Sequence, residues 1–132
     1  GIPGSAQSLF IVRAVQAASG HLVQDVDLSA DQGVSVPYYG RDPDVYGLVV
    51  RGNWGAERIL SGDRLIVEPN TTPVPGDVAV LVLRGDKMAI SRVLSLRADE
   101  VELAPVAGGT VSNVFPVTDV IEMHKVVAIL PR

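Results

Sequence analysis

Few residue types in this chain could carry out covalent chemistry, and their spacing decides which of them could act together. There is no cysteine, which excludes thiolate nucleophiles, thiolate metal sites and disulfides. A serine nucleophile needs a base to take its proton, and a lysine can serve only where burial lowers its pKa and leaves it neutral. Ser91 and Lys87 fall an even number of residues apart in an alternating stretch, so they share one face of a strand. Strand rise separates their side chains by more than about 10 Å, too far for direct proton transfer. Arg92, the next residue, points to the opposite face and stays protonated in proteins. Ser61 sits in a Gly-Asp turn, where a local turn hydrogen bond is expected of its hydroxyl.

Metal and phosphate chemistry find no better footing. His21 and His124 each lack a partner at metal-ligand spacing. Asp25, Asp27 and Asp31 lie close in sequence but lack the glycine and terminal glutamate of a calcium loop, and they read as a solvated acidic edge. No glycine-rich phosphate loop is present. Neither a metal nor any other cofactor is expected.

The elements that must position these residues are short. A chain of 132 residues, 47% of them apolar, is expected to form one domain with a sizeable core. Valine is abundant, aromatics are scarce, and 13 glycines and 9 prolines punctuate the runs. That combination favours many short strands over long helices. The net charge is −4 and the basic residues are scattered, so no cluster is available to neutralise phosphates. This chain by itself is not expected to bind DNA. No apolar run nears the roughly 18 residues of a membrane span, and the N-terminus lacks the basic-then-apolar layout of a signal peptide. Together with the absence of cysteine, these features point to a cytoplasmic protein without membrane contact.

Residues 1–8 carry no periodicity and read as a disordered or vector-derived N-terminal segment, leaving residues 9–132 as the domain. Strands are expected at Leu9–Val15, Val45–Arg51, Arg64–Pro69, Val78–Leu83, Lys87–Leu94, Glu100–Pro105 and Met123–Leu130. His21 to Pro37 alternates only weakly and reads as a strand followed by a long connection. Asp63 and Asp77, each preceded by a glycine, are expected to accept backbone N–H groups in turns.

The stretch from Val49 to Val67 joins several of these features: an apolar strand, Gly52, an irregular turn holding Ile59, then Gly62-Asp63 and another apolar strand. It resembles the nucleophile segment of LexA-like and CI-type phage repressor C-terminal domains. That self-cleaving Ser-Lys family is also related to UmuD and signal peptidases. The family writes Gly-x-Ser-Met ahead of its Gly-Asp turn; here Trp54 stands in the serine slot and Gly55 in the methionine slot. A second Gly-Asp, Gly76-Asp77, precedes a hairpin whose returning strand in the family reads apolar, Lys, Arg, apolar, with the lysine as general base. Ile90-Ser91-Arg92-Val93 puts Ser91 in the lysine slot. Ala17, Ala18, Ser19 and Gly20 resemble the family's cleavage region, a strand followed by a small-small dipeptide, although Ser19 separates Ala18 from Gly20. The same residues also read as an ordinary turn. Leu103-Ala104-Pro105 resembles a later Leu-x-Pro strand, and Val114-Phe115-Pro116-Val117 the loop after it.

The resemblance implies a mainly β fold of LexA-type, with strongly bent sheets or a partly closed β-barrel. With both catalytic slots replaced, it implies a non-cleaving dimerisation or regulatory domain of a LexA-like or phage-repressor-like transcriptional regulator, with no catalytic residues of its own. DNA would be reached only through an N-terminal helix-turn-helix domain absent from this chain. The expected partners are the chain itself, as homodimer or higher oligomer, and an antirepressor or other regulatory protein. Val126, Val127, Ala128, Ile129 and Leu130 are the candidate interface; a buried core strand is the other reading of the same residues. Trp54 either fills space left by Gly55 or lines the disused cleft and anchors a partner. The alternatives are a sensor or partner-binding module built on that cleft, and an active self-cleaving serine peptidase with another nucleophile.

Overall fold

Valine-rich alternation resolves into ten strands in the computed structural model, which describes residues 6–18, 21–52, 59–104 and 113–132. In chain order these are β1 (Gln7–Ala17), β2 (Leu22–Val26), β3 (Ser35–Tyr38), β4 (Tyr46–Arg51) and β5 (Arg64–Glu68). There follow β6 (Val78–Leu83), β7 (Lys87–Leu96), β8 (Glu100–Leu103), β9 (Asn113–Pro116) and β10 (Val120–Leu130). Two 3₁₀ turns, Ser29–Asp31 and Val117–Asp119, are the helical pieces among the described residues.

Pairing runs β2-β1-β4-β5-β10-β6-β7, and β7 pairs back to β2, so the strongly curved sheet closes a ring of hydrogen-bonded strands. All these junctions are antiparallel except β1–β4, which is parallel. β10 serves two neighbours in turn: Val120 to Lys125 pairs with β6, and Lys125 to Leu130 pairs with β5. β8 and β9 continue from the second half of β7, while β3 covers the first half of β1.

Burial follows from this wrapping. Val15, Leu48, Val50, Leu65, Val67, Val80, Ile90 and Val126 form one cluster drawn from six of the ring strands, and Val23 of β2 packs against it. That cluster is the inside of the ring. Alternate residues turn outward into two further clusters. Leu9, Ile11, Val36, Val49 and Ile66 pack under β3, and Ala79, Leu81, Val93, Val101 and Leu103 pack under β8 and β9. Central strands are therefore apolar on both faces, which is why Val78 to Leu83 reads as an unbroken apolar run. A β-bulge between Val126 and Ala128 inserts an extra residue, so Val126 and Ile129, three apart, both meet the inner cluster.

Two turns of the same construction frame the sheet. Asp63 N–H donates to Leu60 O at 2.9 Å and Asp77 N–H to Val74 O at 3.0 Å. Each carboxylate in return accepts the first residue's N–H, from Leu60 and from Val74, both at 2.9 Å. The third position is Gly62 (φ 95°) or Gly76 (φ 98°), as a type II turn requires. Both aspartates thus behave as expected from sequence. Elsewhere the outline differs. β1 starts at Gln7, two residues before the expected strand, because Gln7 and Ser8 pair with Tyr38 and Pro37. The connection before Pro37 contains β3, in which a proline is tolerated because β3 pairs on one edge with β1. Val114 to Pro116, expected as loop, is strand paired with β8.

Gly62→Ala and Gly76→Ala each place a side chain at positive φ and should cost about 1–3 kcal/mol in urea unfolding. Gly62→Ala should cost more, since its Cβ would lie 2.6 Å from the Arg132 side chain whereas Gly76 faces open space.

Candidate functional site

Three segments singled out by sequence meet at one end of the ring. Parallel pairing sets Gln16 beside Arg51, and a Cβ at Gly52 would lie 3.9 Å from that of Gln16. The end of β1, where the cleavage-like Ala17 and Ala18 stand, therefore adjoins the start of the nucleophile-like segment. The chain then turns, with Ala18 N–H donating to Leu22 O at 2.8 Å, and Ile90 N–H donates to His21 O at 3.1 Å. That second bond ties the turn to the strand bearing Ser91. Ser19, Gly20, Trp54 and Gly55 lie outside the described residues.

The nucleophile-like segment is anchored at both ends. Gly62 N–H donates to Val50 O at 2.7 Å, and Val50 N–H donates to Asp63 O at 3.0 Å. Gly52 N–H donates to Ser61 Oγ at 3.2 Å. The Ser61 hydroxyl, expected to bond locally, instead reaches nine residues back, because β4 and β5 bring Gly52 against the turn. Arg51, the last residue of β4, forms an ion pair with Asp31. Asp31 is only 8% exposed, so it does not belong to a solvated acidic edge; the 3₁₀ turn Ser29–Asp31 delivers it to the guanidinium. Asp25 and Asp27 do stay exposed. Asp25 pairs with Arg13 at 2.8 Å, and Asp27 accepts the Ser29 N–H and Oγ–H at 3.0 and 2.8 Å. Those hydrogen bonds hold the Asp27 carboxyl below its ordinary pKa.

Ser91 is fully buried, and its Oγ donates to Ala104 O at 3.0 Å. A carbonyl oxygen accepts a hydrogen bond but does not take up a proton at neutral pH, so this bond does not prepare a nucleophile. Its effect is to fix the exit of β8, together with Ala104 N–H donating to Arg92 O at 2.9 Å. Arg92 turns the other way, and its guanidinium donates to Gly76 O at 2.6 Å. Lys87 is exposed at the start of β7.

A second polar group, not foreseen from sequence, lies on β4 and β10. Tyr46 Oη is 2.6 Å from His124 Nδ1, and His124 Nε2 is 2.8 Å from Glu122 Oε2. Burial pushes the Tyr46 hydroxyl up to about 12, so it keeps its proton and donates to Nδ1 in the tautomer that leaves that nitrogen bare. Nε2–H is then left to donate to the Glu122 carboxylate, which has no proton to give. The partners are 78 residues apart, and no local pattern announces them.

The candidate interface occupies the second half of β10. Val126 and Ile129 face the inner cluster, whereas Ala128 and Leu130 face the β3 side. Val127 is 38% exposed. Val127, Ala128 and Leu130 line an apolar groove of about 350 Å³ with Pro37, Tyr38, Tyr39 and Ile66. This half of β10 pairs with β5 along one edge, and among the described residues no strand pairs along the other.

A family model described as Peptidase S24-like matches residues 10–113. The match runs from β1 into β9 and takes in all three converging segments. The chain belongs to the Peptidase S24-like family, that of LexA, UmuD and phage repressor C-terminal domains, whose members are usually self-cleaving proteases. A comparison with curated proteins finds no match.

Ser91→Ala removes the bond to Ala104 O and should cost about 1 kcal/mol in urea unfolding. Ser91→Lys restores the side chain that the family resemblance places there, yet forces an amine into a fully buried position. It should destabilise more than Ser91→Ala; a Ser91→Lys variant as stable as wild type would show that the pocket still accommodates the base.

Proposed function

We propose that this chain is a non-cleaving, self-associating regulatory domain of a LexA-like or phage-repressor-like transcriptional regulator. It works in the cytoplasm and reaches DNA through a separate helix-turn-helix domain. The observation that carries the loss of cleavage is Ser91: the general-base slot holds a buried hydroxyl committed to a carbonyl. Trp54 in the nucleophile slot supports the same reading, because indole offers only an N–H donor. No helix among the described residues is long and apolar enough to cross a membrane.

Association of two such domains couples two DNA-binding domains to paired half-sites. Once one is engaged, its tethered neighbour binds at high effective concentration, without any new contact to DNA. The second half of β10 suits this role, with an exposed Val127, an adjoining apolar groove and, among the described residues, an unpaired edge. A regulator that does not cleave itself has to be released otherwise, and an antirepressor or other regulatory protein acting on this domain would do so.

Sedimentation equilibrium over a wide concentration range should give a reversible dimer or larger species. Val127→Glu changes an exposed side chain and should weaken association at least about tenfold, the effect of losing roughly 1.4 kcal/mol, with unfolding unchanged. A strict monomer at high concentration would remove the role. Family membership favours self-cleavage as the second reading. Intact mass after incubation at neutral and alkaline pH should stay constant, and a new fragment ending near Ala18 would establish cleavage instead.

A further inference from the structure

His21 is 2% exposed, and its Nδ1 is buried with no hydrogen-bond partner. Burial lowers its pKa from the ordinary 6.5. An imidazole so placed is tolerated while neutral. Once protonated it carries a charge, with an N–H at Nδ1 that finds no acceptor, and the cost of burying an unpaired charge drives it toward water.

The position of His21 gives that cost a structural outlet. Its carbonyl accepts the Ile90 N–H at 3.1 Å, the first link of the seam between β2 and β7. Leu22 opposite Ala89 and Val23 opposite Met88 complete the seam. Gln24 to Val26 remain paired with β1, and a cleft of about 640 Å³, lined by Gln24, Asp25, Asp86 and Lys87, opens beyond. Every other junction of the ring is longer. The ring is thus closed at its shortest junction by a residue ill suited to accept a proton.

The charged residues of the strands packed around this seam are already placed. On β7 these are Arg92, bonded to Gly76 O, and Lys87, exposed at the cleft. On β1 and β2 they are Arg13 and Asp25, paired with each other. On β4 it is Arg51, paired with Asp31. None of them contributes to the shift at His21, whose cause is burial alone.

We infer that His21 makes the β2–β7 seam a pH-sensitive latch: protonation of the imidazole releases His21 and opens the ring at this junction while the others hold. The folded pKa lies below the ordinary 6.5, so the open seam binds the proton more readily than the closed one. The latch is at full strength above about pH 6.5 and weakens as pH falls from there toward the folded value.

The test is amide hydrogen exchange read residue by residue, corrected for the intrinsic pH dependence of exchange, from about pH 7.5 down to about pH 5. Protection of the Ile90 amide should fall by up to about tenfold per pH unit below about 6.5, while amides of β5 and β6 keep theirs. In His21→Gln, with His21→Leu as a second non-titrating variant, Ile90 protection should not depend on pH over this range. In the wild type, the midpoint of the His21 ring-proton titration should lie below about 6.5, at the pH where the fall in protection levels off. Protection that is independent of pH in the wild type overturns the latch. So does an equal fall in the variants, a fall shared by β5 and β6, or a mismatched midpoint.

Discussion

The fold depends on one strand holding two others that do not touch each other through hydrogen bonds. β10 gives its first half to β6 and its second half to β5. Without it, the β1-β4-β5 side and the β6-β7 side would be joined only by the short seam of β2 on β7. Bulges in both halves of β10 let it bend between the two directions. The inner cluster, with Val126 of β10 among its members, can form only when both sides are held.

The same arrangement brings together the segments that resemble the family's landmarks. Parallel pairing of β1 with β4 makes both strands end at the same side of the sheet, so the turn after Ala18 and the segment after Gly52 leave next to each other. β7 completes the group from across the seam. Backbone hydrogen bonds hold these pieces in place, and they are indifferent to which side chain stands in a slot. Ser91 stands where the resemblance puts a lysine, and the ladder that positions it does not depend on that side chain. The buried hydroxyl is given a structural use in bonding Ala104 O.

Much of the architecture was legible in the sequence because it rests on local rules. β6 has the bounds read from its apolar run, and the two Gly-Asp turns follow from positive φ at glycine with an aspartate beside it. The order of these landmarks is enough to suggest the family. Features that join distant positions were not legible. Asp31 has the look of a surface acid until Arg51 is placed over it, and the bonds of Tyr46 and His124 depend on β4 and β10 being set at the right register. β3 lies in a stretch that alternates only weakly and β9 in one that resembles a loop, and both hold a proline at an edge position, where it is harmless.

β1 pairs on its two edges with partners of different remoteness: β2 follows it after a turn, and β4 lies three connections later. The strand that joins the two sides of the ring is the last of the ten. Most native contacts therefore reward the chain only after long loops have been closed. Proteins dominated by such distant pairings reach the native state over roughly milliseconds to seconds, far slower than helical bundles of similar size. During that interval the apolar strands β4, β5 and β6 have exposed edges and both faces bare. The same apolarity that makes the finished ring stable makes the newly made chain dependent on dilution or on chaperones until β10 has docked.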